Sequence, residues 1–541
     1  MNNQQNARIK QFLTRATAAR KSKEYPKCKH FCDAILKILP NNYDALLTVS
    51  QAATENGQFA DAVEYGYRLI QAYPDHPNGA IISSVGLMNM GRNEEAVMVL
   101  EKQLRVNEKE RALLFNLHTA YSGLGDSHKA IQIALQAIEK FPTDADAFNN
   151  LGASLSTVGR STDAIIAFET SLDLNPNNYT ARINLINCKS RVGGKDQWVV
   201  DEVQRIENSK TPMISKRSLI GARHNAGFSF FRLGQLEKGW EYLEEGFSPE
   251  LDNNKGRSPR RNFTAPRWKG KPLNGKRLMV WREQGLGDEI MFGTMLHELT
   301  HIDGQVVLEC SERLISIFQR AFPSFEVRSE LYRSVYPFDC PTEDFDFQIP
   351  FGSLGGIYRP TVESFSRGNA YLTPNMELTE KYKSRLLAIA PEKKWIGLCW
   401  RSGLISPTRG TSYTLLEDWD ALLQRDDIAV VNLQYGKCEE EILAAEQRTG
   451  ARIIRWEDTN LQNDLEAVLA LISNMNTVCS VGTVVAQMAG AAGINTKMVC
   501  NKPSWTSFGT KQFLFTDSIE LIFNKQATDI RESVKMCISQ I

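Results

Sequence analysis

The sequence predicts a helical solenoid followed by an α/β region made of two parallel-sheet halves. Three observations carry that expectation. Residues recur at a spacing of 34 through the first half, short apolar runs alternate with helix-length segments from 276 onward, and Gly-bearing loops end two of those runs. With 541 residues, at roughly 100–200 per domain, the chain has room for three or four domain-sized units.

The repeat stands in three registers. Pro40, Pro74, Pro142 and Pro176 share one 34-residue grid, with Glu108 in the vacant slot; Gly57, Gly91, Gly125, Gly159 and Gly193 share a second, and Ala62, Ala96, Ala130 and Ala164 a third. A period of 34 with these residues is the tetratricopeptide signature of two antiparallel helices per repeat. The Gly ends the first helix in a left-handed cap. The Ala lets the second helix pack closely, and the Pro stops it. Repeats are expected near 9–42, 43–76, 77–110, 111–144, 145–178 and 179–212. After a seven-residue insertion Gly234 and Gly239 resume the pattern, which ends near Phe247. A polar column, Asn116, Asn150, Asn184 and (counting the insertion) Asn225, falls in the first helix of each repeat. Side-chain amides there suit hydrogen bonding to an extended peptide backbone, or cohesion of the repeats themselves.

The expected divisions are a solenoid over 1–250, a connector over 251–275, and two α/β domains over 276–385 and 386–541. From Lys255 to Arg277 there are nine Lys/Arg and no Asp/Glu, which reads as a solvated linker. Strands are expected at 276–281, 305–310, 395–400, 429–434, 451–456, 477–481 and 496–500, and helices at 289–302 and, behind a Ser311 cap, after 311. Strand–loop–helix alternation means parallel sheets, whose ligands bind at the carboxyl ends of the strands.

Two loops there are candidates for chemistry. Glu283-Gln284-Gly285-Leu286-Gly287-Asp288 opens a helix, its glycines permitting close approach of a ligand and Asp288 standing at the helix start, where Asp is also an ordinary cap. Gly482 and Thr483 precede a helix rich in small residues, so its free N–H groups suit a phosphate. Arg401 ends one strand and Arg409 follows in a loop; either guanidinium suits a diphosphate leaving group.

Composition removes other classes. Lys+Arg and Asp+Glu are both 63, so the net charge is zero, unlike a general polyanion or nucleic-acid binder. No apolar run approaches the roughly 20 residues of a membrane span, and the polar start lacks a signal-peptide core. Ten scattered cysteines, including Cys28 and Cys32, read as reduced thiols in a cytoplasmic protein. His297-Glu298-Leu299-Thr300-His301 matches HExxH, but the segment is accounted for as a sheet crossover without a third ligand, so no metal is expected.

At this point the chain resembles bacterial tetratricopeptide-repeat glycosyltransferases of the GT-B fold, similar to the heptosyltransferase-like and O-linked N-acetylglucosamine transferase families. The carriers are the solenoid, APRWKG with LNGKRLMVWREQGLGDEIMF, and then IGLCWRSG, VNLQYG, DLEAVLALISNM and SVGTVVAQMAGAAG. The resemblance implies transfer from a nucleotide sugar held mainly by the C-terminal half. It implies Asp288 as general base, with Gln284, Gly285 and Gly287 in the acceptor-side loop. It places the donor diphosphate at Gly482 and Thr483, the nucleotide near Gln434, and a ribose contact at Asp464. Many relatives carry Asp-Thr and a later His where this chain has Gly482 and Gln487. The reaction implied is a metal-independent inverting displacement onto a protein acceptor, flagellin or another surface protein, needing no cofactor beyond the donor. The alternatives are a non-catalytic scaffold with a degenerate transferase region, and a transferase acting on lipopolysaccharide or capsule.

Overall fold

A computed structural model describes residues 3–209, 214–251, 256–259, 261–330, 338–339, 343–365, 370–403, 412–524 and 529–541. Its internal contacts divide the chain into two units, Met1–Cys188 and Lys189–Ile541.

The first unit is a run of antiparallel helix pairs: α1 (Asn3–Lys21) with α2 (Tyr25–Ile38), α3 (Tyr43–Glu55) with α4 (Phe59–Ala72), α5 (Asn78–Asn89) with α6 (Asn93–Leu104), α7 (Arg111–Gly123) with α8 (Ser127–Lys140), and α9 (Ala145–Thr157) with α10 (Ser161–Leu174). The helix α11 (Tyr179–Val192) crosses the division. The three residue grids have their expected physical roles. Gly57, Gly91, Gly125 and Gly159 have φ between +71° and +80°, the left-handed conformation in which a Cβ is penalised. Ala62, Ala96, Ala130 and Ala164 are at most 1% exposed, so a larger side chain would drive the helices of a pair apart. Asn42 and Asp126 cap α3 and α8 by accepting from the backbone N–H of Ala45 and Lys129. Cys28 and Cys32 are buried in the first repeats.

The second unit begins with three more helices, α12 (Asp196–Asn208), α13 (Lys216–Arg232) and α14 (Leu236–Glu244). The two-residue strands β1 (Arg261–Asn262) and β5 (Phe338–Asp339) pair with each other. Two larger sheets carry the rest. The first is built from β2 (Arg277–Trp281), β3 (Gln305–Cys310), β4 (Glu326–Ser329) and β6 (Phe347–Pro350), in the order β4-β3-β2-β6. The second is built from β7 (Lys394–Cys399), β8 (Ile428–Asn432), β9 (Thr477–Val481), β10 (Thr496–Val499) and β11 (Ile519–Ile522), in the order β11-β10-β9-β7-β8. Every pairing in both is parallel. Strands such as TVCSV and IAVVN are buried throughout, as parallel strands covered on both faces must be.

The strand orders decide where a ligand fits. In the first sheet the chain runs from β2 to β3 and β4, then returns to β6 on the other side of β2. In the second it runs from β7 to β8, then to β9 on the other side of β7. These reversals open a crevice at the carboxyl ends of the flanking strands. The loops leaving β2, β7 and β9 at those crevices contain Asp288, Arg401 and Gly482.

Several expectations are corrected. The segment 451–456 is no strand; it touches the sheet only through a bridge between Val431 and Ile454. The crossover expected over 289–302 is a helix α15 (Leu286–Gly293) that tightens into a 3-10 helix over Thr294–Leu299. Ser311 caps nothing with its side chain; its N–H donates to Glu289 instead. The basic stretch is a solvated linker only in part: Lys269, Lys271 and Lys276 are exposed, but two of its arginines are not. The side chains of Arg257 and Arg261 are buried and ion-paired to Glu283 and Glu309, carboxylates too distant in sequence for local charge patterning to reveal. No helix of the described residues is long and apolar enough to cross a membrane.

Candidate functional site

The crevices of both sheets open into one cleft of ≈ 880 Å³ within the second unit. One wall is the loop after β2. Glu283, 1% exposed, leaves the strand and accepts hydrogen bonds from Arg257 Nε at 2.6 Å and from the Gly352 N–H at 2.9 Å. Gln284 then takes φ +59°, an uncommon region for a side chain of its size, with its N–H held by the Ser258 carbonyl at 2.8 Å. That turn presents Gly285, Gly287 and Asp288 to the cleft. Asp288 is the third residue of α15, and its Oδ2 accepts from the Gly285 N–H at 3.1 Å. It therefore caps the helix and lines the cleft at once: the ordinary role and the chemical one coincide in one carboxylate.

Behind it lies Glu289, fully buried. Its Oε2 accepts from the Ser311 N–H at 2.8 Å and its Oε1 lies 2.9 Å from Arg282 Nε. Burial, reinforced by the neighbouring Glu330 and only partly offset by Arg282 and the Ser311 N–H, pushes its carboxyl up to about 7. A carboxyl whose folded value exceeds its unfolded value of 4.5 contributes stability that is complete below the unfolded value. That contribution is lost as pH rises through the folded one. Relative to a Glu289→Gln variant, the native chain should therefore lose up to ~3 kcal/mol between pH 4.5 and 7. All nine Trp lie between 198 and 505, so tryptophan fluorescence during urea unfolding reads this unit; equal slopes with pH in the two proteins would refute the expectation.

The opposite wall is the turn from β9 into the helix Val484–Ala491. Gly482 has nothing within 4 Å of where a Cβ would stand, so the cleft is open at that point. Thr483 is 7% exposed, and its hydroxyl is engaged with Ser480 Oγ at 3.0 Å. What this turn offers a ligand is the unshared N–H groups of a first helical turn. The walls approach closely: a Cβ on Gly287 would lie 3.8 Å from Gln487 Cγ and 3.9 Å from Val484 Cα. Ser402, Tyr413, Tyr435 and Trp505 also line it; Ser402 and Tyr435 fall in the segments WRSG and LQYG, whereas Tyr413 and Trp505 belong to no motif the sequence offered. Trp505 packs on Phe228 and Phe231 of α13.

Other sequence candidates fall elsewhere. Arg401 is held by Glu441, with Nη2 also donating to the Lys437 carbonyl at 2.8 Å. Gln434 is 1% exposed; its Oε1 accepts from the Arg401 N–H at 2.9 Å and its Nε2 donates to the Tyr435 carbonyl at 3.0 Å. Both side chains thereby brace the ends of β7 and β8. Asp464 caps the helix Leu465–Ile472 by accepting from the Ala467 N–H at 3.0 Å, while its neighbours Gln462 and Leu465 line the cleft. Arg409 lies outside the described residues. In the Asn column, Asn116 Nδ2 donates to Ser84 Oγ at 3.1 Å and Asn184 Nδ2 to Asn149 Oδ1 at 3.0 Å. These bonds join successive repeats and favour cohesion over peptide recognition for those two. Asn150 and Asn225 stand on α9 and α13. In the HExxH segment Glu298 is ion-paired to Arg359 and His297 packs on Phe322 and Tyr371. Among the described residues no group of three His, Cys, Asp or Glu is disposed to hold a metal.

Comparison with known proteins bears mainly on the repeats. Residues 133–166 match the tetratricopeptide repeat family. Protein FlbA of Caulobacter vibrioides is 29% identical over 532 residues, covering 95% of this chain and 86% of its own length. The peroxisomal targeting signal receptor of Kluyveromyces lactis is 28% identical over 163 residues, covering 29% of this chain and 28% of its own. Among solved structures, a thermophilic TPR protein of Thermus thermophilus matches 33% of this chain and 98% of its own at 20% identity and a TM-score of 0.29. The N-terminal helix pairs are tetratricopeptide repeats, and along nearly its whole length the chain is similar to FlbA.

Proposed function

We propose that the two-sheet region is a GT-B glycosyltransferase and that the repeats bind the protein that accepts the sugar. The observation that carries this reading is the cleft itself. A carboxylate at a strand-end helix start, Asp288, faces a second helix N-terminus at Gly482 and Thr483 across ≈ 880 Å³. The first arrangement suits removal of a proton from a hydroxyl, the second suits a departing diphosphate. The reaction is a single displacement. The acceptor oxygen bonds to the anomeric carbon as the carbon–phosphate oxygen bond breaks, with inversion. The proton passes to Asp288, and the nucleoside diphosphate leaves on the side of the helix Val484–Ala491. With Arg401 engaged by Glu441, backbone N–H groups at that helix carry the leaving-group charge in this scheme.

The test is incubation of the full chain with a panel of nucleotide sugars, with and without cell lysate, reading nucleotide release and mass gained by a lysate protein; flagellin is the first acceptor to try. Release coupled to a protein mass increase supports the reading. Nucleotide binding without transfer in any lysate favours the scaffold reading, for which the repeats speak equally. Mass gained only by lipopolysaccharide or capsule would move the acceptor from protein to glycan.

A further inference from the structure

We propose that Arg257 is a positioning residue for Asp288, clamping the loop after β2 to the last repeat helix; this rests on the glycosyltransferase reading of the cleft. Arg257 is 3% exposed and reaches three elements at once. Its Nε donates to Glu283 Oε2 at 2.6 Å and its Nη2 pairs with Glu283 Oε1. Its Nη1 donates to Glu244 Oε1 at 2.7 Å, at the end of α14, and to Ser353 Oγ at 3.2 Å, beyond β6. The guanidinium also lies 4.3 Å above the Phe247 ring. Backbone bonds fix the segment on both sides: Arg257 N–H to the Gly246 carbonyl at 3.0 Å, and Gln284 N–H to the Ser258 carbonyl at 2.8 Å.

The chain of support runs outward from there. Glu283 is immediately followed by Gln284, whose left-handed φ of +59° persists only where its surroundings over-determine it. The Glu283 pair with Arg257 and Gly352 holds one side of that turn, and the Gly285 N–H bond to Asp288 holds the other. A planar, five-donor guanidinium is the one cationic side chain able to bind Glu283 in two places while still reaching Glu244 and Ser353. The functional position of Asp288 is in this way built partly from a repeat helix, which neither the repeat grid nor the strand pattern reveals.

The experiment compares Arg257→Met/Glu283→Gln, Arg257→Lys and the native chain. The double variant removes both buried charges together, because removing the arginine alone strands a buried carboxylate. Hydrogen exchange of the 284–289 amides is expected to quicken at least tenfold in the double variant and less in Arg257→Lys, with exchange in β9 unchanged. With a nucleotide sugar that the native chain turns over, kcat should fall about 10²-fold while the KM for the donor stays within about twofold. Unchanged loop exchange in a folded double variant, read by an unshifted tryptophan spectrum, overturns the proposal. So does a KM rise with kcat preserved. If the native chain turns over no nucleotide sugar, the glycosyltransferase reading fails by itself, and the exchange measurement still decides whether Arg257 holds the loop.

Discussion

Asp288→Asn should lower sugar transfer by at least ~10²-fold while leaving nucleotide affinity within about twofold. The substitution is nearly isosteric, and the amide oxygen of Asn can still accept the Gly285 N–H bond now made at 3.1 Å. Helix α15 therefore keeps its cap and the cleft keeps its shape. What is lost is the basic carboxylate, and general-base assistance is worth roughly 10²–10⁴-fold. Nucleotide binding should survive because the groups assigned to the diphosphate, Gly482 and Thr483, belong to the other sheet. The measurement is kcat for transfer beside a Kd for the nucleoside diphosphate. Full activity in the variant removes Asp288 as base; loss of nucleotide binding in parallel with activity would show that the variant damaged the cleft and not the chemistry.

The repeat was legible because its physics is local and periodic. A left-handed cap requires Gly, a tight helix crossing requires Ala, and a stop favours Pro, so Gly57, Ala62 and Pro74 disclose the helices without any tertiary information. The parallel sheets were legible for a similar reason: strands covered on both faces are continuous apolar runs. The loops at the strand ends followed, so Asp288, Gly482 and Thr483 fell where expected. The partner of Arg401 was not legible in the same way. Arg401 sits at a strand end like a ligand residue, but whether its guanidinium faces the cleft depends on Glu441, 40 residues away, and no local pattern encodes that pair. The basic stretch misled for the same reason: Glu283 and Glu309, which neutralise Arg257 and Arg261, arrive 26 and 48 residues later. Gln434 and Asp464 show a further limit. A polar side chain at a strand end or helix start is as useful for bracing backbone as for binding a ligand: Gln434 braces Arg401, a tertiary partner that no local pattern shows, while Asp464 caps its own helix. Tyr413 and Trp505 line the cleft without belonging to any motif.

The largest effect on the stability of the repeats is expected at the crossing of α4 and α5, with Gly79→Val. There the helices approach over two glycines. A Cβ on Gly79 would lie 2.9 Å from the Gly66 carbonyl oxygen and 2.9 Å from the Ile70 backbone nitrogen; one on Gly66 would collide with Ser83 Oγ and lie 3.1 Å from the Gly79 carbonyl oxygen. Two of the obstacles at Gly79 are main chain, which cannot rotate away as a flexible side chain can. Replacing Gly within a helix regains roughly 0.5–1 kcal/mol of backbone entropy, while overpacking costs roughly 1–3 kcal/mol or more. With the main chain as the obstacle the cost falls at the upper end of that range, and a net loss of about 2 kcal/mol follows. For a unit of this size that is a fall in Tm of roughly 4–8 °C. Far-ultraviolet circular dichroism follows the helical transition, and tryptophan fluorescence separately follows residues beyond 198. Gly91→Ala is the comparison: its φ is +76° but nothing lies within 4 Å of a Cβ there. It should therefore cost only about 1 kcal/mol, from backbone strain alone. A Gly79→Val protein that melts as the native chain does, or no lower than Gly91→Ala, would mean that the α4–α5 crossing can open without cost, contrary to a packing limited by main-chain contact.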